Sequence, residues 1–321
     1  MPAYTIRPYQ PADAPQIAAL QAAYARAFPG VTVQDAGYIQ GFYGHPAFDG
    51  GQNIFCATGA EGTLLGYGLL YAKPPEGDSP GARRYLFLSI QVDPTLGEGD
   101  TLRAALYARL VERARAIAAA APQWQTMLQA ALFSFETPAI AFLMVKGLAR
   151  YGGGLLMSRS LAEAPPDLTA PKGVEVRASR LETDAEQLAY LRAHNEALPG
   201  SAMDLEGLRY FMGSPMWAVS TAYLATAGDQ VVGGALAYWN EDENRRMGEK
   251  VGSTEEVFVL APWRRQGIAR YLIAQAMRYL REHGLDEARL EMAAENEAAL
   301  ALYRSLGYRV IREQVFLHGD L

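Results

Sequence analysis

Glu255-Glu256-Val257-Phe258-Val259-Leu260 runs through Ala261-Pro262-Trp263 into Arg264-Arg265-Gln266-Gly267-Ile268-Ala269-Arg270, where a long amphipathic pattern begins. The β-branched and aromatic run predicts a strand. Ile268, Leu272, Ile273, Ala276 and Leu280 fall on one stripe of a helix, with Arg270, Arg278 and Arg281 outside it and Gly284 at its end. A strand, loop and helix in this order are suited to an anion. The first turn of a helix offers unpaired N–H groups at the positive end of its dipole. Gly267 has no Cβ to block close approach, Ala269 is small, and Arg264 and Arg265 can add charge-assisted hydrogen bonds. Arg-x-x-Gly-x-Ala alone has about half a chance match per chain of this length. Its surroundings therefore decide its meaning.

Farther along, after the apolar run Ala288 to Met292, the chain reads Asn296-x-x-Ala299-x-x-x-Tyr303-x-x-x-Gly307-Tyr308. Five fixed positions at this spacing arise by chance on the order of once per thousand chains. Ala299, Tyr303 and Leu306 share a helix face, and Gly307 suits the helix end. Together the two blocks resemble the GNAT N-acetyltransferase superfamily, over roughly residues 174 to 316.

The resemblance implies an enzyme that takes acetyl-CoA and acetylates a primary amine by direct attack in a ternary complex. It implies that Arg264, Arg265, Gln266, Gly267, Ile268, Ala269 and Arg270 cradle the pyrophosphate, that Val257, Phe258, Val259 and Ala299 contact the pantetheine arm, and that Asn296 fixes either the strand end or that arm. The Val259 N–H would polarise the thioester carbonyl. Glu255 would be the base, because members using a carboxylate often carry it four residues before the equivalent of Val259. Glu256 ranks second, since a regular strand turns it to the opposite face. Tyr303 would protonate the departing thiolate; the competing view is that its ring only packs. An acyl-CoA sensor module without catalysis is the alternative for the whole chain.

Other chemistries find little support. Neither a triphosphate P-loop nor a three-glycine dinucleotide fingerprint is present, and Gly97-x-Gly99 lacks its third glycine. His45, His194, His283 and His318 are scattered, so no metal is expected, and His194 is read as structural or solvent-facing. A net charge of −6 argues against nucleic acid. The single cysteine, Cys56, precludes an internal disulfide, and neither a signal peptide nor a run long enough to cross a bilayer is evident, which points to the cytoplasm. The acceptor is expected to be a small-molecule or peptide amine; the oligomeric state stays open.

Self-comparison accounts for the length. Tyr4-Thr5-Ile6-Arg7 matches Val174-Glu175-Val176-Arg177, and Leu64-Leu65-Gly66-Tyr67-Gly68 matches Val231-Val232-Gly233-Gly234-Ala235. Val92-Asp93-Pro94 stands for Val259-Leu260-Ala261, and Ala139 with Gly147 stands for Ala299 with Gly307. The order is that of a tandem duplication. The expected organisation is two α+β GNAT-like domains, each a mixed, mostly antiparallel twisted sheet flanked by helices. Residues 1–161 form a degenerate scaffold, 162–173 a proline-stiffened linker and 174–321 the catalytic domain. In the first copy Glu98 and Asp100 stand where the cradle would be, Glu136 replaces the asparagine and Leu143 the tyrosine. The tandem arrangement resembles that of mycothiol synthase and its relatives, although those tend to carry Asp-Pro where this chain has Leu260-Ala261.

Overall fold

Short β-branched and aromatic runs bounded by glycine, proline and aspartate become strands in both halves of the chain. The computed structural model describes every residue except 1–3, 29, 30, 32, 46, 47, 74, 76, 78 and 98. The strands of the first half are β1 (Tyr4–Pro8), β2 (Ile54–Gly59), β3 (Leu64–Ala72), β4 (Arg83–Val92), β5 (Gln125–Phe133) and β6 (Ala149–Ser160). The second half repeats the series as β7 (Glu175–Ser179), β8 (Thr221–Ala227), β9 (Gln230–Tyr238), β10 (Val251–Val259), β11 (Glu287–Ala293) and β12 (Arg309–Asp320).

Helices Gly99–Ala119 and Ile268–Glu282 connect β4 to β5 and β10 to β11, the crossovers that parallel pairing of those strands requires. In the second helix Leu272, Ile273 and Leu280 are wholly buried, as their spacing predicts. Burial of each such side chain contributes about 1.5–3 kcal/mol, which fixes the helix against the sheet. Helices Asp184–Ala197 and Leu205–Met212 start where Thr183 and Asp204 accept hydrogen bonds from the backbone. A short helix, Glu241–Met247, had no apolar periodicity to announce it.

Two compact units result, and their limits differ from those drawn on the sequence. One comprises Met1–Gly154 with Arg312–Leu321, the other Leu155–Ile311. In the first the strand order is β1-β2-β3-β4-β5-β12, and Gln314 to Asp320 pair antiparallel with Phe133 to Met127. In the second it is β6-β11-β10-β9-β8-β7, with the Leu155–Ser160 end of β6 as its edge. Each unit thus completes its sheet with a strand encoded in the other half of the sequence, so the limits 1–161 and 174–321 cut across both. The proline-rich segment 162–173 lies in the second unit, where Arg278 donates to the Pro166 carbonyl at 2.8 Å.

Candidate active site

β10 is not a regular strand. Its register against β9 runs from Glu255 opposite Leu236 to Phe258 opposite Gly234, a shift that leaves one extra residue on β10. Glu256 accordingly sits at φ 49°, left-handed backbone that a non-glycine residue seldom adopts. This corrects the expectation from strand alternation: the bulge brings both Glu255 and Glu256 to the wall of one cavity of about 160 Å³. Gly234 makes the bulge possible, because a Cβ there would lie 2.6 Å from the Phe258 ring. That ring is buried and packs edge-on against Tyr190 and His194 at 5.6 and 5.5 Å. The Phe258 side chain therefore belongs to the core.

Glu255 accepts a hydrogen bond of 2.6 Å from the Tyr238 hydroxyl. Burial pushes its carboxyl above the usual carboxylate range, the hydrogen bond opposes this, and the charges of Glu291 and Glu256 add to the rise. Glu256 meets Nε2 of His194 at 2.7 Å, while Nδ1 of the same ring lies 3.0 Å from Asn195 Oδ1. The amide is oriented by Met203, whose N–H donates to Oδ1 and whose carbonyl accepts from Nδ2. Both ring nitrogens thus face acceptors, which calls for the doubly protonated imidazolium. The hydrogen bond to Glu256 raises the His194 pKa, against burial. The pair is a neutral unit overall.

On its other edge β10 parts from β11. Among the described residues, their pairing covers only Val251–Ser253 against Glu287–Arg289. The Leu260 N–H donates to Val232 on β9 at 2.9 Å, so alternation turns the Val259 N–H toward the parted edge. The Val259 carbonyl is taken by Arg264 Nε at 3.0 Å, leaving only the N–H for a ligand.

Beyond the strand, Arg265 and Gly267 have φ of 64° and 84°, and a Cβ on Gly267 would meet nothing within 4 Å. The space above that glycine is open. The first intrahelical bond runs from Tyr271 N–H to Gly267, so the amides of Ile268, Ala269 and Arg270 precede it. Arg264, Arg265, Gln266 and Arg270 are exposed around them, whereas the Ile268 side chain is buried and offers only its amide. Open amides, a glycine and arginines make a donor set that fits a pyrophosphate.

Asn296 caps the helix Glu297–Ser305, accepting from the Ala299 N–H at 3.1 Å. Tyr303 lies on the inward face of that helix, 8% exposed. Burial, followed by the negative charge of Glu255, pushes its hydroxyl up to about 12, so the two predicted catalytic groups sense one another. Sequence reasoning missed Tyr238 and the role of His194. The glycine pair Gly233-Gly234 within a strand was the available signal for a bulge.

The first unit lacks this arrangement. β4 pairs with β3 from Val92 opposite Gly66 to Leu86 opposite Ala72 without a break in register. Glu136 is tied by the Tyr24 hydroxyl at 2.6 Å and the Phe133 N–H at 2.7 Å, and Asp100 by Arg103. Glu98 lies outside the described residues. Among the described residues, no group of three His, Cys, Asp or Glu is placed to hold a metal, and no helix is long and apolar enough to cross a membrane.

Residues 190–308 match the family model of the Acetyltransferase (GNAT) family. Similar curated proteins include the mycothiol acetyltransferase of Thermomonospora curvata, 29% identical over 53% of this chain and 56% of its own length. That of Saccharomonospora viridis is 30% identical over 56% of this chain and 61% of its own length. The chain thus spans little more than half of these relatives. A GCN5-related N-acetyltransferase from Sphaerobacter thermophilus superposes over 99% of this chain and 95% of its own, with TM-score 0.77 and 22% identity. A tandem GNAT protein from the clavulanic acid biosynthesis pathway covers 99% and 98%, with TM-score 0.67 and 17% identity. At such identities the likeness concerns the fold: two GNAT-like units in tandem.

Proposed function

With residues 190–308 in the GNAT acetyltransferase family and the whole chain in the tandem GNAT fold, we propose that the protein transfers an acetyl group from acetyl-CoA to a primary amine in its second unit. The observation that carries this reading is Glu255, half-buried, oriented by Tyr238 and close enough to Tyr303 for its charge to be felt there, on a strand whose other edge is open. Relatives named mycothiol acetyltransferases support a small-molecule acceptor.

When bound, acetyl-CoA supplies a thioester whose carbonyl carbon the amine attacks. The amides of Ile268, Ala269 and Arg270 bind its pyrophosphate, with Gly267 leaving room and Arg264, Arg265 and Gln266 around the anion. Val257, Val259, Asn296 and Ala299 line the arm, and the Val259 N–H donates to the carbonyl oxygen as negative charge develops there. An alkylamine with a pKa near 10.4 is neutral less than about 0.1% of the time at pH 7, a handicap of roughly 4–5 kcal/mol. Glu255 relieves it by taking the ammonium proton, directly or through water. The C–N bond forms and the C–S bond breaks; Tyr303 gives its proton to the leaving sulfur and takes up the second proton that the nitrogen sheds as the amide forms. With the hydroxyl pushed up to about 12, Tyr303 is protonated at neutral pH, as a donor must be. The first unit serves as a scaffold.

Free thiol release from acetyl-CoA in the presence of amines tests the proposal. A sensor module would bind acetyl-CoA and release none with any amine offered.

A further inference from the structure

The cavity under the bulge is built for more than an amine. Its floor carries the Glu255 and Glu256 carboxylates, while Tyr190, Leu208, Phe211, Trp217, Leu236 and the Tyr238 ring form its walls. The walls are mostly apolar: the Tyr238 hydroxyl is committed to Glu255 at 2.6 Å, and the Tyr190 hydroxyl and the Trp217 indole N–H are the other polar atoms of these side chains. Phe211 packs edge-on against both Trp217 and Tyr238, with centroids 5.6 and 5.9 Å away. The volume, about 160 Å³, is close to the roughly 150 Å³ of an apolar cavity that accommodates a benzene ring.

Charge narrows the occupant further. His194 already balances Glu256, which leaves Glu255 as the one uncompensated carboxylate of the cavity floor. One cation is matched at the floor, and a second cation or a hydroxyl-rich body would be desolvated among aromatic rings without a partner.

Resting on the transferase reading above, we infer that the acceptor is a monocationic primary amine bearing a compact apolar group, of phenyl or branched five-carbon size. The apolar group fills the aromatic walls and the ammonium lies against Glu255, beside the parted edge of β10. The ammonium nitrogen loses one proton to Glu255 and, as the amide bond forms and the thioester C–S bond breaks, a second to the Tyr303 oxygen that has just protonated the leaving sulfur.

The test is competition among acceptors with the full chain and acetyl-CoA, read as thiol release. The panel is 2-phenylethylamine, 3-methylbutylamine, ethanolamine, 1,4-diaminobutane and a glycyl dipeptide. The first two should exceed the other three in kcat/KM on the order of 100-fold. Phe211→Ser, which lines the cavity with a hydroxyl and empties part of it, should shrink that ratio about tenfold. Because the ratio is internal to each preparation, partial misfolding does not imitate the effect. Turnover that favours ethanolamine, the diamine or the dipeptide overturns the inferred acceptor and leaves the transferase reading standing. Absence of thiol release with every amine overturns both.

Discussion

Tyr238 and Tyr303 both bear on one half-buried carboxylate, that of Glu255, and its replacement separates chemistry from stability. The folded protein holds the Glu255 proton more tightly than the unfolded chain does. Ionising Glu255 as pH rises through its raised pKa therefore costs folding free energy, and that cost persists at neutral pH. Glu255→Gln should then keep or raise Tm at pH 7 while turnover falls on the order of 100-fold or more. In the parent protein kcat/KM should drop as pH falls through the raised carboxyl pKa; in the variant that limb should vanish and activity survive only where the amine deprotonates unaided. A pH–rate profile unchanged by the substitution would move the base elsewhere. Tyr303→Phe should leave acetyl-CoA affinity nearly unchanged and lower turnover on the order of 100-fold, because the ring still packs and only the donated proton is lost. Equal turnover in both proteins would leave Tyr303 as packing alone. Glu255 and Tyr303 could be put forward from the sequence because each sits at a fixed spacing within a motif. The Glu256–His194 pair was not, since nothing in a glutamate announces a left-handed φ that tertiary packing imposes.

At the scale of elements, the bulge of β10 depends on its neighbour β9. A Cβ at Gly234 would stand 2.6 and 2.8 Å from Phe258 ring atoms, and that ring is wedged against Tyr190 and His194. It has nowhere to yield. Gly234→Ala should destabilise the protein by about 1–3 kcal/mol through overpacking, lowering Tm by roughly 2–10 °C for a unit of this size. Gly200→Ala, where a Cβ meets nothing within 4 Å, is the control and should leave Tm unchanged. Equal melting of the two variants would mean that Phe258 can shift, and the bulge would not need its glycine. The strand leading to Leu260, the helix from Ile268 and the helix through Tyr303 were readable because their apolar spacing is strong and Gly284 and Gly307 mark the two helix ends. The bulge was readable only as a glycine pair in a strand, a sign of close approach that does not say which neighbouring residue approaches.

For the whole molecule, duplication was visible in the order of matched segments, but the exchange of β12 and the end of β6 between units was not. Alternation along a strand says which face is buried and leaves the choice of edge to the tertiary structure. The units have diverged in the features that matter for a phosphate ligand. In the second, Gly267 stands at φ 84° with open space above it and arginines beside it. In the first, β4 has no bulge, and Asp93, Asp100 and Glu136 outnumber Arg103 around a groove of about 470 Å³. Like charge there opposes a pyrophosphate. Calorimetric titration of the full chain should therefore give one acetyl-CoA per chain. Gly267→Glu, which fills the open space with a carboxylate at a φ that side chains resist, should abolish binding, whereas Asp100→Ala should leave the stoichiometry at one. Because the two substitutions lie in different units, a second binding event that survives Gly267→Glu would have to arise in the first, and the claim that this unit no longer takes the cofactor would fall with it.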